Sequence, residues 1–408
     1  MNGARQTKIF LRDRPLRILT GITYYRPHTS GLTIYAERLA KALAARGHEV
    51  TVLTSQFDKS LPREEVVEGV RIVRAPVFFR ISKGVIMPTI GLLASKLAME
   101  HDVIQLHLPQ FDAAGIALRG RLLRKPTVLT YHCDLRMPPG LLSLAANQAV
   151  LFMNELAARF SHRIITYTQD YADHSPYISR HMKKLQVINP PVVLPKTTQG
   201  AIDAFREENN PDRRKPVIGM ASRFATEKGV EILLNAMPQM IDKYPDLQVQ
   251  FAGPFEHIIG EEHYFARLEP TIRKYLESGH WRFLGNLNPQ QMANFYPNLD
   301  VLVMPSLNST EAFGLVQIEA MINGVPSVAS NLPGVRQPAT RHEMGAVVPI
   351  GDADGLASAL LDIFANPQAY QRDPEKIAAQ YVPDQIAAEY EKMFTQMLAD
   401  FRKEGSAS

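Results

Sequence analysis

Residues 309–330 read STEAFGLVQIEAMINGVPSVAS. The apolar run VLVMPS (301–306) leads into this stretch and has the character of a buried strand. Glu311 then falls in a loop, and Gly314 opens a helical pattern that runs to Ile322 or Asn323 and stops at Gly324. A further β-branched run, PSVA at 326–329, follows. Strand, loop, helix and strand in this order predict a parallel unit whose ligands gather at the carboxyl ends of the strands.

The same stretch carries a chemical order. A helix N-terminus presents free N–H groups and a partial positive charge, which suits a phosphate. Gly314 lets that backbone approach closely, with no side chain in the way. Glu319 lies five residues beyond Gly314, roughly 7.5 Å along the axis at about 1.5 Å per residue. A ligand lying along this element meets a carboxylate, then N–H groups, then a second carboxylate. Sugar hydroxyls, a diphosphate and ribose hydroxyls match that order, because carboxylates accept from hydroxyls.

Outward from this unit the alternation continues in both directions. Before it come PVIGMA (216–221), LQVQFA (247–252) and WRFL (281–284), and after it AVV (346–348). An earlier series has LRILT (16–20), EVTVLT (49–54), RIVRA (71–75), VIQLH (103–107), TVLTY (127–131), IITY (164–167) and LQVI (185–188). NPPVVLPK (189–196), with three prolines, interrupts the two series as a semi-rigid linker. Two α/β, doubly wound domains are therefore predicted, 1–190 and 191–383, facing across a cleft. The segment 384–401 reads as a helix.

The strand at 216–221 leads into SRFATEKG, where Arg223 and Lys228 precede a helix opened by Gly229. Two cations at the carboxyl end of a strand can neutralise a diphosphate leaving group. TYHCD (130–134) places His132 and Asp134 after another strand.

SRFATEKG, EAFGLVQIE and NGVPSVAS together resemble the retaining GT-B glycosyltransferases of family 4, the group 1 glycosyltransferases. FLGNLNPQQMANFYPNLDVLVMPS (283–306), GDADGLASALLDIFANP (351–367) and RPHTSGLTIYAERLAKALAARGHEVTVLTS (26–55) extend the resemblance over most of the chain. It implies two Rossmann-like domains, with the helix 384–401 crossing back to the first. Arg223 and Lys228 would hold the diphosphate, and Phe313, Gly314 and Leu315 would offer backbone N–H groups. Glu311 would meet the donor sugar and Glu319 the ribose. His132 would contact the sugar near the reacting carbon, making His132 and Glu311 the catalytic candidates. Gly31 would lie close to the phosphate, although Ser30-Gly31 stands where the family usually has two glycines. Asp134 is a candidate to orient the acceptor hydroxyl.

Composition narrows the class. The 408 residues are 45% apolar and 21% charged, a soluble globular balance. The single cysteine, Cys133, excludes a disulfide framework and points to a reducing, cytoplasmic setting. Neither Val85–Met99 nor Leu141–Met153 reaches the roughly 20 apolar residues of a membrane span. Residues 1–190 carry +12 and the remainder −8. With RGRLLRK (119–125) and the apolar run 78–99, the basic half suits an anionic membrane at its inner face, or a lipid-linked acceptor. No Gly-x-Gly-x-x-Gly follows the first strand and no zinc-spaced Cys/His set exists, which argues against nicotinamide and zinc chemistry. Asp352-Ala353-Asp354 imitates a metal motif but precedes an amphipathic helix and reads as its cap.

The expectation is a hexosyltransferase using a UDP- or GDP-linked sugar as co-substrate, with no cofactor, no essential metal and no nucleic-acid partner. The alternatives are a sugar-nucleotide epimerase on the same fold and a non-catalytic nucleotide-sugar-binding protein.

Overall fold

The structure, a computed structural model, describes residues 14–81, 84–135, 141–256, 258 and 260–406. The first β-branched series forms β1 (Arg17–Gly21), β2 (Glu49–Gln56), β3 (Glu64–Val67) and β4 (Val70–Pro76). A small hairpin of β5 (Phe79–Ile81) and β6 (Gly84–Ile86) follows, then β7 (Val103–Leu108), β8 (Thr127–Tyr131), β9 (Arg163–Thr166) and β10 (Leu185–Val187). The main sheet has the order β10-β9-β8-β7-β1-β2-β4-β3. Its ladders are parallel except at the edge, where β3 runs antiparallel to β4. The central strands β7 and β8 are buried at every residue, as strands covered on both faces must be.

The second series forms β11 (Val217–Ala221), β12 (Gln248–Ala252), β13 (Trp281–Gly285), β14 (Val301–Met304), β15 (Ser327–Ser330) and β16 (Gly345–Val348). These pair in parallel in the order β13-β12-β11-β14-β15-β16. Two parallel sheets covered by helices thus follow one another along the chain. Each strand begins within about a residue of its expected place. The differences are β3 and the β5–β6 hairpin. β3, with the sequence EEVV, is an edge strand that buries none of its four residues, so it carries no alternation signal.

In the first domain the helices are α1 (Gly31–Ala45), α2 (Ile90–Glu100), α3 (Ala113–Leu122), α4 (Leu141–Phe160) and α5 (Gln169–His174). α1 shows why its sequence is helical. Ser30 caps it by accepting from the Thr33 N–H, and Tyr35, Leu39 and Leu43 recur at helical spacing on the buried face. In the second domain come α6 (Gln199–Asn209), α7 (Val230–Lys243), α8 (Glu262–Glu277), α9 (Pro289–Phe295), α10 (Leu315–Met321), α11 (Gln337–His342), α12 (Ala353–Ala365) and α13 (Pro374–Ala378). The Asp352 carboxylate accepts from the Gly355 N–H at 2.8 Å, which is the capping role read from the sequence.

The last helix, α14 (Pro383–Ser406), packs on α1. Tyr390 Oη lies 2.7 Å from Tyr35 Oη and 3.2 Å from Thr130 Oγ1. Arg46 at the end of α1 donates to Asp384 and Glu391 at 2.8 Å each. Tyr390, Phe394 and Met397 join Tyr35 and Leu39 in one core cluster, which also takes in Phe313, Ile318 and Met321 of the second domain. The linker joins this seam, since the Val192 N–H donates to the Tyr381 carbonyl at 2.9 Å. The two domains therefore share a continuous apolar seam.

Phe394 is fully buried in that seam. Phe394→Ala is expected to lower stability by about 3–5 kcal/mol, the usual cost of an aromatic cavity. Urea unfolding followed by tryptophan fluorescence and circular dichroism checks this; a loss below about 1 kcal/mol would mean that α14 is not anchored there.

Candidate active site

The loop between β14 and α10 carries the centre of the site. Gly314 takes φ = 81°, the left-handed region open to glycine. A Cβ there would stand 2.3 Å from Met304 Sδ, so the backbone presses directly on the end of β14. Gly229 is held likewise, at φ = 67° with Pro305 O 2.1 Å from where a Cβ would be. The two glycines bring the loops after β11 and β14 together. Leu307 N–H donates to Glu227 O at 2.9 Å, and Lys228 Nζ donates to Glu311 Oε2 at 2.6 Å. α10 is only two turns long and ends at Met321, short of the expected Ile322 or Asn323. To an anion it would offer backbone N–H groups at its start rather than a long macrodipole.

Arg223 pairs with Glu227, and it is the more exposed of the two cations. The loop holding both cations is fixed from behind by Glu261, which is buried. Its Oε2 accepts from Thr226 N–H at 2.9 Å and from Thr226 Oγ1 at 2.7 Å.

Glu319 is buried, and both its oxygens are engaged. Oε1 accepts from Arg38 Nη2 of α1 at 2.7 Å, and Oε2 accepts from the Tyr296 hydroxyl at 2.7 Å. Phe313 is buried, with its ring edge-on to Tyr167 of the first domain at 5.8 Å. The sequence therefore places Glu311, Phe313, Gly314, Leu315 and Glu319 on one continuous element, and the structure adds partners from both domains.

The first domain reaches the same place through the loop after β8. Asp134 N–H donates to Ser309 O at 3.2 Å, across the domain boundary. Asp134 Oδ1 accepts from the Tyr131 hydroxyl at 2.9 Å and from Ser175 Oγ at 2.8 Å, while Oδ2 is buried without a hydrogen-bond partner. The Cys133 thiol is pushed up to about 12, first by burial and then by the Glu311 and Asp134 carboxylates, against the opposing pull of Lys228 and Arg223. It is therefore a neutral thiol at pH 7.

His132 is placed differently from the sequence expectation. Its Nε2 lies 2.8 Å from His107 Nδ1, and its Nδ1 is hydrogen-bonded to the Tyr167 hydroxyl. Tyr35 packs edge-on to the ring at 5.0 Å. Both ring nitrogens are thus spent inside the first domain, and neither is free for a donor sugar. Burial, with the charge of His107 second, holds His132 well below the usual histidine range. Gly31 opens α1 directly behind its Ser30 cap, and nothing lies within 4 Å of where its Cβ would stand. The structure thus leaves Gly31 outside the contacts that join the other residues.

Local pattern did not reveal Arg38, Tyr296, Glu227, Glu261, His107 or Tyr167. Arg38 lies in α1, 281 residues from Glu319, and reads locally as a solvated helix cation. His107 and Tyr167 sit in or beside strands whose apolar runs signal only burial. Among the described residues, no group of three or more His, Cys, Asp or Glu side chains could hold a metal ion.

Comparison with known proteins agrees with this architecture. Residues 29–194 match the family described as Glycosyltransferase Family 4, and residues 201–380 match Glycosyl transferases group 1. The chain is similar to the phosphatidyl-myo-inositol mannosyltransferase of Mycolicibacterium smegmatis, at 26% identity over 341 residues covering 83% of this chain and 82% of that one. Sucrose-phosphate synthase from Thermosynechococcus elongatus superimposes with a TM-score of 0.73 at 22% identity, over 94% of this chain and 100% of that one. Anabaena HepE in complex with UDP-glucose gives 0.68 at 20% identity, over 95% and 100%. The two parallel-sheet domains are those of the GT-B fold.

The buried histidines set a pH dependence. Burial lowers His107 to about 3. In the unfolded chain it titrates near 6.5. Its folded value is the lower one, so the unfolded state binds more protons between these values. The stability it leaves intact above about pH 6.5 is lost as pH falls toward 3. His107→Asn is expected to flatten the fall in urea midpoint between pH 6.5 and 4; an unchanged slope would place the acid sensitivity elsewhere.

Proposed function

Because this chain belongs to the family 4, group 1 glycosyltransferases, we propose that it moves a hexosyl unit from a nucleoside diphosphate sugar to a hydroxyl group, with retention at the anomeric carbon. The observation that carries the reading is the Lys228–Glu311 contact of 2.6 Å beneath the first domain's Asp134 loop. Each cation in the site is matched by a carboxylate: Lys228 by Glu311, Arg223 by Glu227, Arg38 by Glu319. A diphosphate takes Lys228 and Arg223 as its own counter-ions. Glu311 is then released to accept hydroxyls of the donor sugar. Partner exchange of this kind makes the sugar contact conditional on the diphosphate. The complex of HepE with UDP-glucose supports a nucleotide-sugar donor.

In the reaction the bond from the sugar C1 to the diphosphate oxygen breaks, and its electron pair leaves with the diphosphate. Arg223 and Lys228 stabilise that developing charge. The acceptor oxygen forms the new bond to C1 on the face the diphosphate leaves. Its proton passes to the departing phosphate oxygen. Asp134, with Oδ1 fixed by Tyr131 and Ser175, is the carboxylate assigned to orient the acceptor hydroxyl. The protein cations take the place of a metal at the leaving group.

The acceptor we infer is lipid-borne. The relative from Mycolicibacterium smegmatis is named for a phosphatidyl-inositol acceptor. In the first domain α2 and α3 pack side by side, tied by Arg119 Nε donating to Ser95 Oγ at 2.7 Å. Leu92 (77% exposed), Met99 (60%), Leu122 (73%) and, on the neighbouring α4, Phe152 (62%) face outward. Lys96, Arg121 and Arg124 are exposed among them. Arg119, counted in the basic run of the sequence, is instead committed to the helix–helix tie. Among the described residues no helix is long and apolar enough to cross a membrane, so the face suits contact with a surface.

Two outcomes test this reading. Glu311→Ala is expected to raise affinity for free nucleoside diphosphate, since Lys228 no longer has to leave a carboxylate, while cutting transfer at least about tenfold. Lys228→Ala removes a charge-assisted contact of roughly 1.5–3 kcal/mol and is expected to weaken nucleoside diphosphate about tenfold or more. Calorimetric titration and steady-state rates check both, and a loss of nucleotide affinity in Glu311→Ala would reverse the partner-exchange scheme. For the membrane face, replacing Lys96, Arg121 and Arg124 by Ser is expected to weaken co-sedimentation with anionic vesicles about a hundredfold, at about 1 kcal/mol per cation. Equal binding to neutral and anionic vesicles would point to a soluble acceptor.

A further inference from the structure

The Arg38–Glu319 pair is unlike the other two charge pairs of the site, because it joins the two domains. Arg38 belongs to α1 and Glu319 to α10, and their side chains are only 14% and 7% exposed. A second donor, the Tyr296 hydroxyl, closes the other carboxylate oxygen, and Tyr296 is itself fully buried. A ribose diol needs two acceptor positions on this carboxylate. In the structure one oxygen faces a guanidinium from the opposite domain, and the residue as a whole has almost no surface left. Tyr296 comes from the same domain as Glu319, just after α9, and can remain bonded while a ligand enters. Arg38 comes from the opposite domain and takes the other oxygen at 2.7 Å, so a diol that occupies both positions displaces it. Its remaining contact is Nη1 to the Pro191 carbonyl at 3.5 Å, in the linker between the domains.

We infer that Arg38 is an internal competitor for the ribose hydroxyls: it neutralises Glu319 from the first domain and must withdraw from it before a nucleotide is seated. The inference rests on the proposed reading of Glu319 as the ribose carboxylate. It also goes beyond that reading, because it makes nucleotide affinity a balance between ligand and first domain. Burying a carboxylate without a partner is costly, and Arg38 supplies that partner. The nucleotide gains Glu319 only net of that contact. A nucleotide without ribose hydroxyls makes no demand on Glu319 and does not meet the competition.

The test compares a ribonucleotide with its 2′,3′-dideoxy counterpart in the full chain. UDP, GDP and ADP are first titrated calorimetrically to choose the base, and the chosen pair is then measured against wild type, Arg38→Gln and Glu319→Gln. The ratio of the two affinities cancels any general effect of charge on the diphosphate. Wild type is expected to show a small ribose preference. Arg38→Gln is expected to increase it about tenfold, through tighter ribonucleotide binding with the dideoxy affinity unchanged relative to the diphosphate alone. Glu319→Gln is expected to reduce the preference. Arg38→Lys, which keeps the charge but loses the planar fork, gives an intermediate ratio and serves if Arg38→Gln does not fold. If Glu319→Gln reduces the preference while both Arg38 variants leave it at the wild-type value, the competition is wrong and the ribose reading stands. If no protein distinguishes ribo- from dideoxynucleotide, or none binds any of the three, the reading of Glu319 fails and takes the inference with it.

Discussion

The site depends on a backbone constraint at Gly314. At φ = 81° and pressed against Met304, this residue turns the chain from β14 into α10 with no room for a side chain. The turn puts Glu311 on one side of the helix start, against Lys228, and Glu319 about one and a half turns along, against Arg38 and Tyr296. Gly229 imposes a matching constraint on the loop that carries Arg223 and Lys228. Both glycines stand where strands of the second sheet end, so the charged groups are held by the sheet rather than by flexible loops. A parallel sheet buried on both faces is a rigid base for such positioning.

The consequence is a site whose cations are each paired within the protein. Three acid–base pairs, two within the second domain and one between domains, match the site's cations one to one. Pairing spares the site an uncompensated buried charge and makes it selective in what displaces the pairs, since a ligand must offer both an anion for the cations and donors for the carboxylates. A nucleoside diphosphate sugar offers both. The first domain contributes in a different manner. Its buried His107–His132–Tyr167 chain and the Tyr35–Tyr390 contact stiffen the floor beneath the β8 loop, and Asp134 carries that stiffness to Ser309 across the seam.

Much of this was legible in the sequence because it is local. Strand positions, the glycine-opened helices, the Asp352 cap and the spacing from Glu311 to Glu319 are all set within a few residues. Periodicity and turn chemistry report on that range directly. What was not legible is what the fold brings from afar. Arg38 looks like any exposed cation of an amphipathic helix until α1 is laid against α10. His132 looks like a free loop histidine until β7 and β9 place His107 and Tyr167 on its two nitrogens. Arg119 sits in a basic run, yet it spends its guanidinium on Ser95 and Gly115. β3 escaped because an exposed edge strand has no buried face to impose alternation.

The central claim is that the loop and helix from Glu311 to Glu319 receive a nucleoside diphosphate sugar along their length. Saturation-transfer difference NMR on the full chain, across a panel of UDP-, GDP- and ADP-sugars, tests it most directly. At least one of them is expected to show strong enhancement at both the ribose and the hexose protons, and inorganic pyrophosphate is expected to displace it by taking Lys228 and Arg223. Enhancement confined to the base, or a bound nucleotide sugar indifferent to pyrophosphate, would contradict it.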